Sequence, residues 1–493
     1  MSLLAVDIGS SSCKAIAFAA DGAVLAQHTS PAYAPEFPQP GCAEINPEVF
    51  WDALCCCSRE VSKGLQDPVR AICLSSHGET FVAVDSRGRP VWNAILNQDS
   101  RAVEESNWLA RIIGRDKLFE ITGHFAHPMF PIAKILWLQK HRPEIFARSA
   151  SFVTLIGFLL HKLELPAYAD YSLASRFLAF DIRKKCWSGE VLSAIDLHCE
   201  LLPEAAPAGI VVGKLSAEAA AHLGVPAGTP AILGGHDQPC GAVGLGVVED
   251  GRVCDSIGTY ECLLAASNSP AINQPALTSS LNTYCHVVPD RFVTLAYFPS
   301  GIMVKWFHDL LYNSSKNSES EDYAKLASDA PAGPTGLCVL PHLIGTCNPE
   351  FDPSARGVIS GLNPTSSRGS IYKGILEGVA CELALLTNLL ADATGPFHDI
   401  YVAGGGTRSA LGLQLRAALT ACNLHVMRQQ ESVCLGSAIL AGVAIGEYAD
   451  IHEGMNALVR ESAVVNPDAH LAAKYQVQME TYRRLRSLMV HHA

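Results

Sequence analysis

The chain has 493 residues, 49% of them hydrophobic and 17% charged, which fills large cores and exceeds what one compact domain holds, so two or more domains are expected. Its formal net charge of −12 excludes general binding to nucleic acid or to an anionic membrane, because no basic face meets a phosphate backbone. Nucleotide binding stays open, since backbone N–H groups and a bridging cation hold phosphate without a basic protein.

The opening MSLLAVDIGSSS has no charged leader or cleavage site and runs straight into an apolar strand, which implies no signal peptide and a cytoplasmic protein. Apolar runs at Leu3 to Val6 and Ala15 to Ala19 flank a small-residue turn at Gly9 to Ser12, and an Asp21-Gly22 turn follows, a series of β-hairpins. Further strands are predicted at Val69 to Leu74 and Phe81 to Val84, with helical stretches between them, so the class is α/β. His124 and His127 have no third ligand nearby and read as a polar loop rather than a metal site. The seventeen cysteines include no C-x-x-C pair and read as reduced, mostly buried thiols. Pro131 opens a predicted helix through IAKILWLQKH that Pro143 closes. Phe152 to Leu160 is too short to span a bilayer and reads as a buried helix.

From Thr229 to Gly246 the pattern is strand, glycine turn, small-residue helix. Asp237 follows two glycines and a histidine, and Pro239 marks the first helical turn, so the carboxylate is expected at a helix N-terminus in a cleft, as a plain N-cap or as a general base. Arg252 to Ala266 repeats the strand-turn-strand of the opening segment, which suggests two related domains, residues 1–247 and 248–493. Ser267 to Ser280 and Asn313 to Asp322 read as solvated loops. The last unit, HDIYVAGGGTRSALGLQLRAALT, is a strand running into three glycines and a helix.

No G-x-x-x-x-G-K-[ST] or G-x-G-x-x-G occurs, which excludes P-loop and Rossmann readings. The first turn offers instead the Asp7 carboxylate, the hydroxyls of Ser10, Ser11 and Ser12, and Lys14, which are parts for Mg²⁺ and phosphate oxygens. Gly258 and Thr259 supply backbone donors from the second half, and Gly404 to Gly406 let a flat group such as adenine approach the backbone. Each turn alone is also an ordinary tight turn.

In this order, the segments resemble the FGGY carbohydrate kinases, a branch of the actin-like ATPase superfamily, along nearly the whole chain. The most specific match is Met129 to His141, including Lys134 and Trp137; DPSARG, GGGTRS and LGSAILA add to it, while Ser370 and Gly374 depart from the family's second signature. The resemblance implies two ribonuclease-H-like domains with a cleft between them, and ATP as donor to a small ketose such as xylulose. It assigns Mg²⁺ to Asp7 and the phosphates to Ser10 to Ser12, Lys14, Gly258 and Thr259. Gly404, Gly405 and Ser409 would flank the adenosine, and Asp237 would be the base, with a carboxyl of ordinary or lowered pKa. His77, Glu79, Asp99, Arg101, His236 and Gln238 match positions that face the sugar. Glu79 and Thr80 resemble the glycerol kinase loop, so glycerol or another small polyol is the alternative acceptor, but Gly78 stands where that group has arginine. A non-catalytic actin-like nucleotide-binding or sugar-sensing protein is the alternative of another class. The oligomeric state stays open, with a homodimer among the options.

Overall fold

The computed structural model describes residues 2–312 and 319–490. Two mixed sheets with one strand order organise the chain. In the first, Ser2–Ile8, Cys13–Phe18 and Val24–Thr29 form an antiparallel meander; Val69–Ser76 and then Pro230–His236 add in parallel beyond Ser2–Ile8, and Val211–Lys214 closes that edge antiparallel. In the second, Val253–Ile257, Tyr260–Ser267 and Phe292–Pro299 form the meander, with Asn282–Cys285 at its edge; Asp399–Ala403 and Asn423–Met427 add in parallel, and Glu461–Val465 closes the far side antiparallel. The repeat visible in two short sequence segments is thus a repeat of sheet topology.

The central strands are apolar on both faces because helices cover both. Along the first hairpin, Leu4, Val6, Ala15 and Ala17 pack on Phe50, Leu54, Cys57 and Val61 of the Glu48–Lys63 helix. The alternate residues Leu3, Ala5, Ile16 and Phe18 pack on the opposite side against Cys240, Val243, Leu435 and Ile439. This period-two division follows from side chains alternating across a strand. In the second half, the Arg368–Thr394 helix is long and apolar enough to cross a membrane, yet 78% of its apolar window is buried, with Val379, Leu383 and Leu386 against Val253, Leu263 and Val402.

Ser432–Ala444 lies late in the sequence but covers the first sheet, crossing the Asp237–Gly244 helix. The crossing is at backbone contact: a Cβ on Gly436 would lie 1.8 Å from the Cys240 carbonyl oxygen, and one on Gly244 would lie 2.0 Å from that of Ser432.

Three expectations are corrected. Ser151–Thr154 is a strand paired with Phe81–Val84, and the helix begins only at Leu155. Val153 and Thr154 are β-branched, and the Thr154 hydroxyl accepts the Gly157 N–H as the helix cap. Gly234 and Gly235 lie inside the Pro230–His236 strand rather than in a turn, where a Cβ on Gly234 would meet the Leu74 carbonyl oxygen at 2.1 Å. The supposed loops contain the helices Gln274–Thr278 and Glu319–Ser328, the latter opening on Glu319, Glu321 and Asp322, which suit a helix N-terminus. Residues 313–318 of the second supposed loop lie outside the described residues.

Because the Gly436–Cys240 contact leaves no room for a methyl group, Gly436→Ala is expected to destabilise the protein by about 3 kcal/mol, an overpacking cost. Urea unfolding followed by circular dichroism checks this, and an unchanged midpoint refutes the close crossing.

Candidate active site

The three parallel strands of the first sheet end side by side, with Ser76 opposite both Ile8 and His236. Ligands of open α/β sheets bind at this edge, where loops diverge beyond the strand ends. Asp7 stands near the end of Ser2–Ile8, and Asp237 is the first residue of the helix that follows Pro230–His236. His236 occupies the N-cap position, so the Asp237 carboxylate is not consumed in capping. Asp237 Oδ1 is buried without a hydrogen-bond partner; His236 Nε2 is 3.2 Å away but not aligned for a hydrogen bond.

Burial, and then the charges of Asp7 and Glu79, hold the Asp237 carboxyl well above the usual carboxylate range, against the opposing Gln238 N–H and Arg176. Burial likewise pushes Asp7 up to about 7; Lys14 and the Ser75 hydroxyl oppose this and Glu431 adds to it. The ordinary or lowered pKa expected for Asp237 is therefore overturned, because desolvation outweighs the helix end.

In the first hairpin Asp7 faces Lys14, and the Gly9 N–H closes the turn on the Ser12 carbonyl at 3.1 Å. Ser10 and Ser11 are exposed and Ser12 is half-buried. The Lys14 ammonium is not free: it pairs with Glu431, the residue before the Ser432–Ala444 helix, and so ties the first turn to the second half.

The loop after Val69–Ser76 holds the side chains expected at the sugar. Glu79 has φ 61°, a left-handed conformation uncommon for a non-glycine residue. Its carboxylate pairs with Arg176 Nε, and its carbonyl accepts from Lys134 Nζ at 3.4 Å. His77 is spent within the protein. Its Nδ1 lies 3.0 Å from the Ile8 carbonyl, which requires Nδ1–H, and its Nε2 lies 2.7 Å from the Thr80 hydroxyl, which in turn accepts the Asn97 N–H. Asp99 and Arg101 are also spent. Arg101 Nη2 lies 2.7 Å from Asp99 and 2.7 Å from Glu44, all three side chains are buried, and the guanidinium covers the Trp137 ring. Gln238 is half-buried beside Asp237, and His236 is buried with Nδ1 3.2 Å from the Tyr284 hydroxyl. His124, fully buried, has Nδ1 2.9 Å from the Asn282 amide oxygen.

The second half presents the matching edge. Ser256 pairs with Ala403 in parallel, so the Gly258-Thr259 turn and the Gly404 to Gly406 turn lie together. Gly404 has φ 99°, and its missing Cβ would fall 2.6 Å from the Ile257 carbonyl oxygen, so only glycine fits there. Gln430 accepts the Gly404 N–H at 2.8 Å. Ser409 caps the Ala410–Thr420 helix by accepting the Gly412 N–H, and Gly405 is exposed. Behind the turn, Glu261 is buried and receives Arg416 Nε at 2.8 Å and the Ser300 hydroxyl at 2.7 Å, which fixes the strand that leaves Thr259.

Sequence reasoning missed Arg176, Glu431 and Gln430. The signal for Arg176 was a lone charge within the apolar stretch SLASRFLAF. Glu431 and Gln430 gave none, since their partners lie far away in the chain.

Two sheets of duplicated topology with small-residue turns at their strand ends, and an unpaired carboxylate at a helix start, fit an actin-like phosphotransferase. The N-terminal domain model of the FGGY family of carbohydrate kinases matches residues 2–244 and its C-terminal domain model matches 255–445. The chain belongs to this family: it is an enzyme that uses ATP to phosphorylate a small sugar, which settles the choice against a non-catalytic actin-like protein. It is 29% identical to xylulose kinase of Escherichia coli K12, over 98% of this chain and 98% of that protein. It is 25% identical to gluconokinase of Bacillus subtilis over 99% and 96%. The crystal structure of ligand-bound xylulose kinase from Lactobacillus acidophilus superposes with a TM-score of 0.90 at 23% identity, covering 99% of this chain and 98% of that one.

The raised pKa of Asp7 has a consequence that can be read in stability. Its pKa rises from about 3.9 in the unfolded chain to about 7 when folded. The stabilising contribution of the neutral acid is complete below pH 4 and is lost as pH rises through 7. Asp7→Asn removes this loss, so without nucleotide or divalent cation it should gain about 1–2 kcal/mol on the wild type between pH 5 and pH 8. Denaturant unfolding at the two pH values measures it, and a gap that narrows toward pH 8 contradicts the burial account.

Proposed function

We propose that the acceptor is a ketopentose or ketohexose such as xylulose, and that Asp237 is the base. The observation that carries this reading is the unpartnered Oδ1 of Asp237, held at the strand ends between Asp7 and the Glu79–Arg176 pair. The acceptor hydroxyl gives its proton to Asp237; the oxygen bonds to the γ-phosphorus as the bond from that phosphorus to the β,γ-bridging oxygen breaks, and ADP leaves. A base with raised pKa binds that proton firmly once ionised, which suits a transfer in which the proton leaves late. Ser10 to Ser12, Gly258 and Thr259 would hold phosphate oxygens, and Gly404, Gly405 and Ser409 would flank the adenosine. Lys14, though paired with Glu431, stands close enough to Asp7 to add positive charge there.

Asp7 and Asp237 also fit a magnesium ion, since both are oxygen donors whose pKa is raised by burial, with that of Asp237 raised further by Asp7. When bound, the ion would neutralise phosphate charge. Glu79, His236 and Gln238 would contact the acceptor beside the base, with His77, Asp99 and Arg101 holding the surrounding loops through their hydrogen bonds. The division into residues 1–247, with sugar and base, and 248–493, with nucleotide, is supported by the two sheets, with the Ser432–Ala444 helix packing back on the first.

A coupled ADP-release assay over ketoses, small polyols and aldonates tests the acceptor. Asp237→Asn is expected to lower kcat by a factor of about 10³–10⁴ while ATP binding is retained. Sugar turnover by that variant at the wild-type rate would remove Asp237 from the role.

A further inference from the structure

Arg176 ends the short Tyr171–Ser175 helix and is 3% exposed. Its guanidinium lies 5.1 Å from the Phe130 ring and 5.1 Å from the Tyr284 ring. Nε serves Glu79, but Nη1 is buried and has no hydrogen-bond partner. A buried donor on a charged group without an acceptor is costly, so a site that keeps one is shaped for an acceptor from outside the chain.

The surroundings tell where that acceptor sits. Arg176 acts on Asp237 and, after burial, helps lower the pKa of His236 and His124, which puts its charge among the groups that flank the base. A Cβ on Gly78 would lie 2.9 Å from the His236 ring and 3.3 Å from Arg176 Cγ. The absence of a side chain at position 78 is therefore what lets Arg176 reach Glu79 from another element.

Charge selects the kind of acceptor. Arg176 is balanced by Glu79, and Asp7 and Asp237 are further carboxylates nearby. Lys134 is buried with its Nζ donating to the Leu96 and Glu79 carbonyls, and burial lowers its pKa to about 7, so its charge is weakened and its donors are taken up inside the protein. A substrate carboxylate would meet Glu79, Asp7 and Asp237 with Arg176 already paired among the described residues, whereas a carbonyl or hydroxyl oxygen would satisfy Nη1 without adding negative charge.

We propose that Arg176 is a specificity-determining substrate residue: its Nη1 donates to a carbonyl or hydroxyl oxygen of an uncharged polyhydroxy acceptor beside Asp237, and the site disfavours aldonates. This rests on the sugar-kinase reading with Asp237 as base. Loss of one hydrogen bond from a charged donor corresponds to a factor of about 10–150.

The test uses the full-length enzyme with the best acceptor of the ketose, polyol and aldonate panel. Arg176→Met and Arg176→Ala are expected to raise the acceptor KM about 10- to 150-fold with the ATP KM held within about twofold, and methylguanidinium should partly rescue Arg176→Ala. Since either single variant strands a buried Glu79, the pair Glu79→Gln with Arg176→Met is measured beside them, with thermal melting as the folding check. It too should show weak sugar binding by calorimetry and normal ATP binding. An unchanged sugar affinity in the folded double variant overturns the proposal and leaves the kinase reading standing. A wild type that prefers an aldonate overturns the charge selection. A wild type that phosphorylates nothing in the panel overturns both readings.

Discussion

Two desolvated carboxyls, Asp7 and Asp237, whose neighbouring cations are each shared with another carboxylate set the terms for the rest of this molecule. Desolvation raises the pKa of both carboxyls, and the charge of Asp7 raises that of Asp237 further. The nearest cations are committed elsewhere, Lys14 to Glu431 and Arg176 to Glu79. Such an arrangement opposes stability, so it persists only where the frame over-determines it. That frame is the pair of strand ends on which the carboxylates stand, paired through Ser76 and apolar on both faces.

The frame is stiffened by an exchange between halves. Ser432–Ala444 leaves the second half and seals the first sheet, meeting the Asp237–Gly244 helix at Gly436 and Gly244 with no side chain between the backbones. Glu431, just ahead of that helix, reaches Lys14 on the phosphate turn. One short segment therefore fixes the direction of the helix that carries the base and ties the turn beside Asp7, so movement of the halves would be felt by both.

Much of the fold was legible because it is written in local patterns. Alternation in the opening hairpin, the small-residue turn and its repeat at Arg252 to Ala266 gave the strands and their duplication, and Pro131 gave the helix start. The failures were places where distant contacts decide. Phe152 to Thr154 is apolar enough for either a helix or a strand, and only the partner strand Phe81–Val84 settles it. Gly234 and Gly235 look like a turn but serve close packing within a sheet. For His77, Asp99 and Arg101, which match sugar-facing positions, the structure adds internal partners, Thr80, Glu44 and Trp137, that the sequence pattern did not show.

The same distinction divides the two ligands. On the proposed reading the nucleotide is held mainly by backbone: turns at Gly9 to Ser12, Gly258-Thr259 and Gly404 to Gly406, whose requirement for small residues leaves a visible mark in the sequence. The acceptor is met by side chains converging from separate elements, with Glu79 on a strand loop, Arg176 at a helix end and His236 before another helix. A substitution at Gly78 alone would drive into His236 and Arg176 and reshape this group. Donor chemistry is therefore expected to be stable against sequence change and acceptor choice labile, because backbone geometry survives most substitutions while a buried polar cluster responds to each.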